Sequence, residues 1–321
     1  MTWTWIYRIL TYRTIISMTK TLVVLGGPTA VGKTPFGIGL ATHLRTEIIS
    51  ADSRQIFREM RIGTGVPSRE ELEAVRHHFI QTVSLKESYN ASRYENEVLH
   101  LLEDLFGRYD QVLMVGGSGL YISAVCEGID DLPSPDPELR AELLHRYENE
   151  GLDSLTGALK QVDPVSHERI DLKNHLRVLK ALEVSLQTGK PYSEFLSSRA
   201  KERPFRILRI ALDMEREKLY SRINARVDRM MEDGLLEEVK RLQPYKHCNA
   251  MKSVGYRELL EHLDGKIPLE EAVDRIRRNT RKFARKQLTW FRKNDRYRWF
   301  SPDQPGEAIR WIEEKLHLQD R

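Results

Sequence analysis

Cysteine is scarce: only Cys126 and Cys248 occur in 321 residues, far apart and outside any CxxC or CxxxxH pair. That excludes a disulfide scaffold or a zinc finger and fits two inert thiols of a reducing compartment, so a cytoplasmic location is expected. No run of 18 apolar residues exists, and no membrane-spanning segment is expected. Net charge is small too. Lys and Arg number 51 against 47 Asp and Glu, a formal +4, so only the distribution of charge can argue for a polyanionic partner. Acid is missing altogether before Glu47.

The acid-free start, MTWTWIYRILTYRTIISMTK, carries Arg8, Arg13 and Lys20 among aromatic and aliphatic residues. A mitochondrial transit peptide looks like this, but so does translation from an upstream start codon. Met18-Thr-Lys leads straight into a strand-like run and no A-x-A cleavage signal follows, so residues 1–17 are expected to be an extension outside the fold.

With 40% apolar and 31% charged residues, the chain can build one large or two ordinary cores. Thr21 to Leu25 is an unbroken, partly β-branched apolar run ending in glycines, as a strand buried on both faces reads. A helix at Phe36–Leu44, a strand at Glu47–Ser50, a helix at Ala91–Arg108 and a strand at Val112–Val115 continue the alternation. This pattern predicts an α/β fold, a parallel sheet flanked by helices. The punctuation IDDLPSPDPE then opens a stretch with helical spacing only, and Ile207–Leu212 returns the chain to the sheet before a charged helical C-terminal region. The expected organisation is a P-loop core of residues 18–128 and 203–321 with an inserted all-helical domain at 129–202.

Gly27-Pro28-Thr29-Ala30-Val31-Gly32-Lys33-Thr34 matches GxxxxGK[ST] between a predicted strand and a predicted helix, the P-loop of nucleotide-binding and ATP-binding proteins. Small residues let backbone N–H groups converge on phosphate at a helix N-terminus, where the dipole favours anions. Lys33 adds a compact cation, and the Thr34 hydroxyl can join the coordination of Mg²⁺, the expected cofactor. Motors and switches place a second Mg²⁺ carboxylate at the end of a neighbouring strand. Here that strand ends Val115-Gly116-Gly117-Ser118, with no acid. The other strand ends at Asp52, on the edge where open α/β sheets bind ligands, and a carboxylate there can take a proton from a nucleophile. Capping a turn would be its plain structural role.

Between Arg275 and Arg298 stand eleven Lys or Arg against one acid, Asp295, with Asp274 just outside. Phe283, Trp290, Phe291 and Tyr297 are interleaved. Such a helix suits phosphate neutralisation with base stacking on a single-stranded loop. It equally suits an amphipathic helix that sends Phe283, Leu288 and Phe291 to the core, and a mixture of the two is expected.

Taken together, GGPTAVGKT at 26–34, ISADSRQIFREMRIGTG at 49–65, VGGSGLYISAV at 115–125, LPSPDPELR at 132–140, RVLKALEV at 177–184, RINARVDRMMEDGLLEEV at 222–239, SVGYREL at 253–259 and TRKFARKQLTWFRK at 280–293 resemble bacterial tRNA dimethylallyltransferase. The likeness runs from Met18 to about Phe300. It implies transfer of the dimethylallyl group of dimethylallyl diphosphate to N6 of the adenosine 3′-adjacent to the anticodon, with diphosphate released, by a monomer. It implies further that the P-loop holds a diphosphate, that Asp52 takes the N6 proton, and that Thr29 and Arg226 meet the prenyl diphosphate. Asp52, Ser53, Arg54, Gln55, Ser118, Arg140, Arg177, Arg281 and Arg285 would lie near the tRNA anticodon loop. Arg226 follows Arg222 by four positions, so both can share a helix face.

The chain also departs from that pattern. Gly65-Val66-Pro67 replaces the frequent Ala-Lys-Pro and removes a cation, Asp171-Leu-Lys-Asn174 replaces a His-Pro-Asn-Asp stretch, and Lys180 replaces a usual Arg, which alters phosphate geometry. Rival functions are a small-molecule kinase, an adenylate isopentenyltransferase acting on free nucleotide, and an RNA-binding module with a relic phosphate loop. Neither small-molecule enzyme needs the basic segment, and intact Lys33, Thr34 and Asp52 argue against a relic.

Overall fold

The computed structural model describes residues 20–317 apart from 131, 135, 198 and 199, so the extension expected at 1–17 lies outside the described residues. Strands β1 (Thr21–Gly26), β2 (Ile48–Ala51), β3 (His77–His78), β4 (Gln111–Gly116), β5 (Arg206–Leu212) and β6 (Arg298–Phe300) form one sheet of order β3-β2-β4-β1-β5-β6, with every pairing parallel. The predicted α/β parallel sheet is thus present. Leu22 to Leu25, Val112 to Met114 and Ile210 to Leu212 are fully buried, because helices cover both faces and leave no polar side to alternate toward.

Two strands carried no hydrophobic signal. β3 has two residues, and β6 is a three-residue edge strand set by its ladder with Ile210–Leu212 rather than by side-chain pattern. β6 is a short strand inside the C-terminal region, which is otherwise helical as expected.

The sheet unit contains helices α1 (Lys33–Leu44), α2 (Arg69–Ala74), α3 (Ala91–Arg108) and α4 (Gly119–Glu127). Asn90 caps α3 by accepting from Arg93 N–H at 2.9 Å, and Tyr94, Val98, Leu102 and Leu105 keep the helical period on its buried face. After the helical unit come α9 (Arg216–Glu232), α10 (Leu235–Leu242), α11 (Tyr256–Leu263), α12 (Leu269–Arg292) and α13 (Pro305–His317). Leu219 and Ile223 of α9 pack with Val23, Leu25, Phe36 and Leu40, whereas Val227 enters a second core with Ile56, Met60, Val239 and Tyr256.

Among the described residues, this unit takes in those up to Cys126 and those from Arg203 onward, and Glu127–Glu202 form a second compact unit. The second consists of α5 (Pro137–Val162), α6 (Pro164–Arg169), α7 (His175–Thr188) and α8 (Tyr192–Phe195) around Leu143, Leu155, Leu159, Val178, Leu179 and Leu182. Asp136 caps α5 at Glu138 and Leu139 N–H, with Pro137 at the first helical position, where no donor is needed.

Candidate active site

The carboxyl ends of β1, β2 and β4 meet at one edge, with β4 between the other two. After β1 the chain wraps through Gly27 to Gly32 into the first turn of α1. Gly27 and Ala30 take φ of +142° and +64°, and Val31 buries its side chain completely in the core and so anchors the loop from below. Pro28 is buried, and Thr29, Gly32, Lys33 and Thr34 are half-buried. Lys33 Nζ donates to Gly27 O at 2.9 Å and Pro28 O at 2.6 Å, which leaves one of its three donors for an anion. Burial lowers the Lys33 pKa to about 7, opposed by the nearby Asp52 carboxylate and reinforced by Arg226. The hydroxyls of Thr29 and Thr34 make no hydrogen bond to another described residue.

Asp52 follows β2. Its Oδ1 accepts from Arg54 N–H at 2.8 Å and Gln55 N–H at 3.2 Å, the capping role expected on purely structural grounds, while Oδ2 has no described protein partner and can accept a proton. The turn is thus what aims the carboxylate. Ser118 stands beside it because its N–H donates to Ala51 O at 3.1 Å. Beneath, Tyr94 O–H donates to Ser50 O at 2.9 Å and its ring stacks on Tyr121 at 4.5 Å, forming an apolar floor. Burial raises the Tyr121 pKa to about 12, so it remains a neutral phenol. The Arg54 guanidinium donates to Ser53 O at 3.3 Å, and burial lowers its pKa, with Tyr121 and Asp52 opposing.

Gln55 turns inward. Its Nε2 donates to Gly65 O at 2.8 Å and Ser50 Oγ donates to its Oε1 at 3.3 Å, so it holds the Gly63–Gly65 loop. Arg226 lies on the other side of that loop, and its Nη2 donates to Thr64 O at 3.4 Å. Burial lowers the Arg226 pKa, opposed by Asp52. One turn earlier on α9, the Arg222 guanidinium would be 3.5 Å from a Cβ at Gly32. Both arginines therefore face the site, Arg222 at the phosphate loop and Arg226 at the Gly63–Gly65 loop within electrostatic reach of Asp52 and Lys33. Glu238, missed in the sequence, fixes the loop from behind: it accepts from Arg61, Ile62 and Gly63 N–H at 2.8–3.1 Å and from Tyr256 O–H at 2.6 Å.

Helix α12 divides its cations. Arg275 pairs with Glu261 and Glu271, Arg277 with Asp228 and Asp274, and Arg281 donates to Asn224 at 2.8 Å. Arg292 pairs with Asp213 at 2.6 Å. Arg278, Lys282, Arg285 and Lys286 are exposed, and their side chains have no partner among the described residues. Of the two alternatives for Phe283, the structure has the exposed one: it is 47% exposed and stands within that cationic stripe. Phe291 and Tyr297 are core residues 5.2 Å apart, Leu288 is half-buried, and Trp290 packs against Gly119. Of the four interleaved aromatics, only Phe283 is well placed for stacking on a base.

In the helical unit, Arg140 pairs at 3.1 Å with Glu183, which is fully buried, and Lys180 shares this charge cluster. Arg177 is exposed in the first turns of α7.

A family model described as IPP transferase matches residues 55–294. A tRNA dimethylallyltransferase 1 of Phocaeicola vulgatus is 48% identical over 300 residues, 94% of this chain and 100% of that one. A tRNA dimethylallyltransferase 2 of Porphyromonas gingivalis is 52% identical over 283 residues, 88% of this chain and 94% of its own length. The full-length tRNA isopentenylpyrophosphate transferase of Bacillus halodurans superposes with a TM-score of 0.69 at 36% identity, covering 94% and 98% of the two chains. A eukaryotic dimethylallyltransferase acting on tRNA gives a TM-score of 0.68 at 28% identity, covering 84% of this chain and 69% of that chain.

Proposed function

This chain belongs to the IPP transferase family and is a prenyltransferase that modifies tRNA; we propose that its donor is dimethylallyl diphosphate and its acceptor N6 of the adenosine 3′-adjacent to the anticodon. The observation that carries this reading is the pairing of a phosphate loop with a single carboxylate. Asp52 lies within electrostatic reach of both Lys33 and Arg226, and β4, between β1 and β2, ends in Gly116 without an acid. That set suits a diphosphate leaving group better than a triphosphate whose Mg²⁺ needs a further carboxylate from the neighbouring strand.

In the proposed reaction N6 attacks the allylic carbon, the N–C bond forms as the C–O bond to diphosphate breaks, and the N6 proton passes to Asp52. The loop N–H groups, Lys33, Arg222 and Arg226 receive the charge that develops on the departing diphosphate. Mg²⁺ fits the residues present. No cluster of three or more acidic, His or Cys ligands occurs among the described residues, so the ion would be held by Thr34, diphosphate oxygens and water, as Mg²⁺ prefers. When bound it neutralises leaving-group charge.

The exposed stripe of Arg278, Lys282, Arg285 and Lys286 suits an RNA backbone and has no use on a free nucleotide. Incubating the protein with labelled dimethylallyl diphosphate and either bulk tRNA or AMP tests the proposal. Label in tRNA with equimolar diphosphate supports it; label in AMP alone, or acceptor-stimulated ATP hydrolysis, overturns it.

A further inference from the structure

Gln287 lies on the buried register of α12, among Ile276, Thr280, Ala284 and Phe291, where every other residue is apolar or a threonine that bonds its own helix. It is only 8% exposed, and both ends of its amide are used. Oε1 accepts from Thr29 N–H at 2.8 Å and Nε2 donates to Gly117 O at 2.9 Å. The orientation of the amide is not a free choice, because one partner can only donate and the other can only accept. The fit is also tight: a Cβ at Gly117 would overlap Nε2 and lie 3.4 Å from Gly27 O.

The two partners belong to different halves of the site. Thr29 is in the phosphate loop, and Gly117 precedes Ser118, whose N–H bonds Ala51 O one residue before Asp52. Strand β4 lies between β1 and β2, so the phosphate loop after β1 and the Asp52 turn after β2 are not neighbours in the sheet. We infer that Gln287 is a positioning residue that sets the spacing between the diphosphate site and the Asp52 base, and does so from the same helix that carries the exposed cations. The inference rests on the prenyl-transfer reading above. Attack and departure must be aligned in one geometry, and a misplacement of about 1 Å costs about 10²-fold in rate.

Two variants test it. Gln287→Met keeps the volume but loses both hydrogen bonds. Single-turnover transfer to an anticodon stem-loop should slow by about 10²-fold, with an unchanged circular dichroism spectrum and stem-loop affinity within about twofold. Gln287→Glu supplies a control that a packing role would not pass. As a carboxylate it can accept from Thr29 N–H but cannot donate to Gly117 O; protonated, it does both. Its rate relative to wild type should therefore recover as pH falls. Folded variants that transfer at the wild-type rate, or a Gln287→Glu deficit independent of pH, overturn the inference. If wild type itself transfers nothing, the functional proposal fails separately, and calorimetric titration with inorganic diphosphate still reads the loop: Gln287→Met should bind at least several-fold more weakly, and equal affinity overturns the positioning role.

Discussion

The Arg226 guanidinium rests against the backbone of Gly65 so closely that a Cβ at that position would overlap Nη2 and Cζ. The glycine is doubly required, since its φ is +61°. In Gly65-Val66-Pro67, Arg226 takes the space that a Cβ on the first residue would fill.

Gly65→Ala should therefore displace Arg226. The left-handed backbone costs about 1–2 kcal/mol with a side chain present, seen as a modest fall in melting temperature. Transfer should fall by about 10²-fold if Arg226 shifts by 1 Å. Steady-state kinetics on the folded variant check this, and a wild-type rate would remove Arg226 from the diphosphate site.

Asp52→Asn keeps an oxygen for Arg54 and Gln55 N–H, so the turn should survive while the base is lost. Turnover should drop by about 10²–10⁴, with stem-loop affinity within a few-fold. Asp52→Ala should lose the turn as well and melt earlier. A mutant retaining half the wild-type rate at saturating substrates would exclude Asp52 as the base.

Lys33, with a pKa lowered to about 7 by burial, must be protonated to attract a diphosphate. Donor affinity should therefore fall as pH rises above about 7, by up to about tenfold per unit for one linked proton, and Lys33→Met should lack this component. Stability of the free protein has the opposite sign. Between about 7 and the ordinary 10.5 the unfolded chain binds the extra proton, so stability from this group rises with pH across that window. Calorimetric donor titrations and thermal melts of both proteins, from pH 6.5 to about 9, read the two trends.

Removing Lys282 or Arg285 should flatten the plot of log affinity against log salt by about 0.7–0.9 per lost phosphate contact, leaving the modified adenosine unchanged. Arg281→Ala should in addition lower the melting temperature, because it cuts the bond to Asn224 and the contact over Tyr220. Coincident slopes for wild type and Arg285→Ala would make Arg285 a solvated charge.

The sequence by itself determined the parallel sheet, the phosphate loop and the place of Asp52. Each rests on local physics: an apolar run covered on both faces, glycines where backbone must meet phosphate, and a polar residue where a strand ends. Tertiary structure alone decided which side chains converge. Gln287 and Trp290 of ARKQLTWFR meet Gly117 and Gly119 of GGSGLY, a pairing across about half the chain that no spacing rule encodes. A glutamine on the apolar register of a helix was the only local sign of it. The same holds for the cations of α12, which are alike in sequence. Neighbouring carboxylates and Asn224 engage Arg275, Arg277 and Arg281 and leave Arg285 to solvent, because a charge's role depends on what the fold places opposite it.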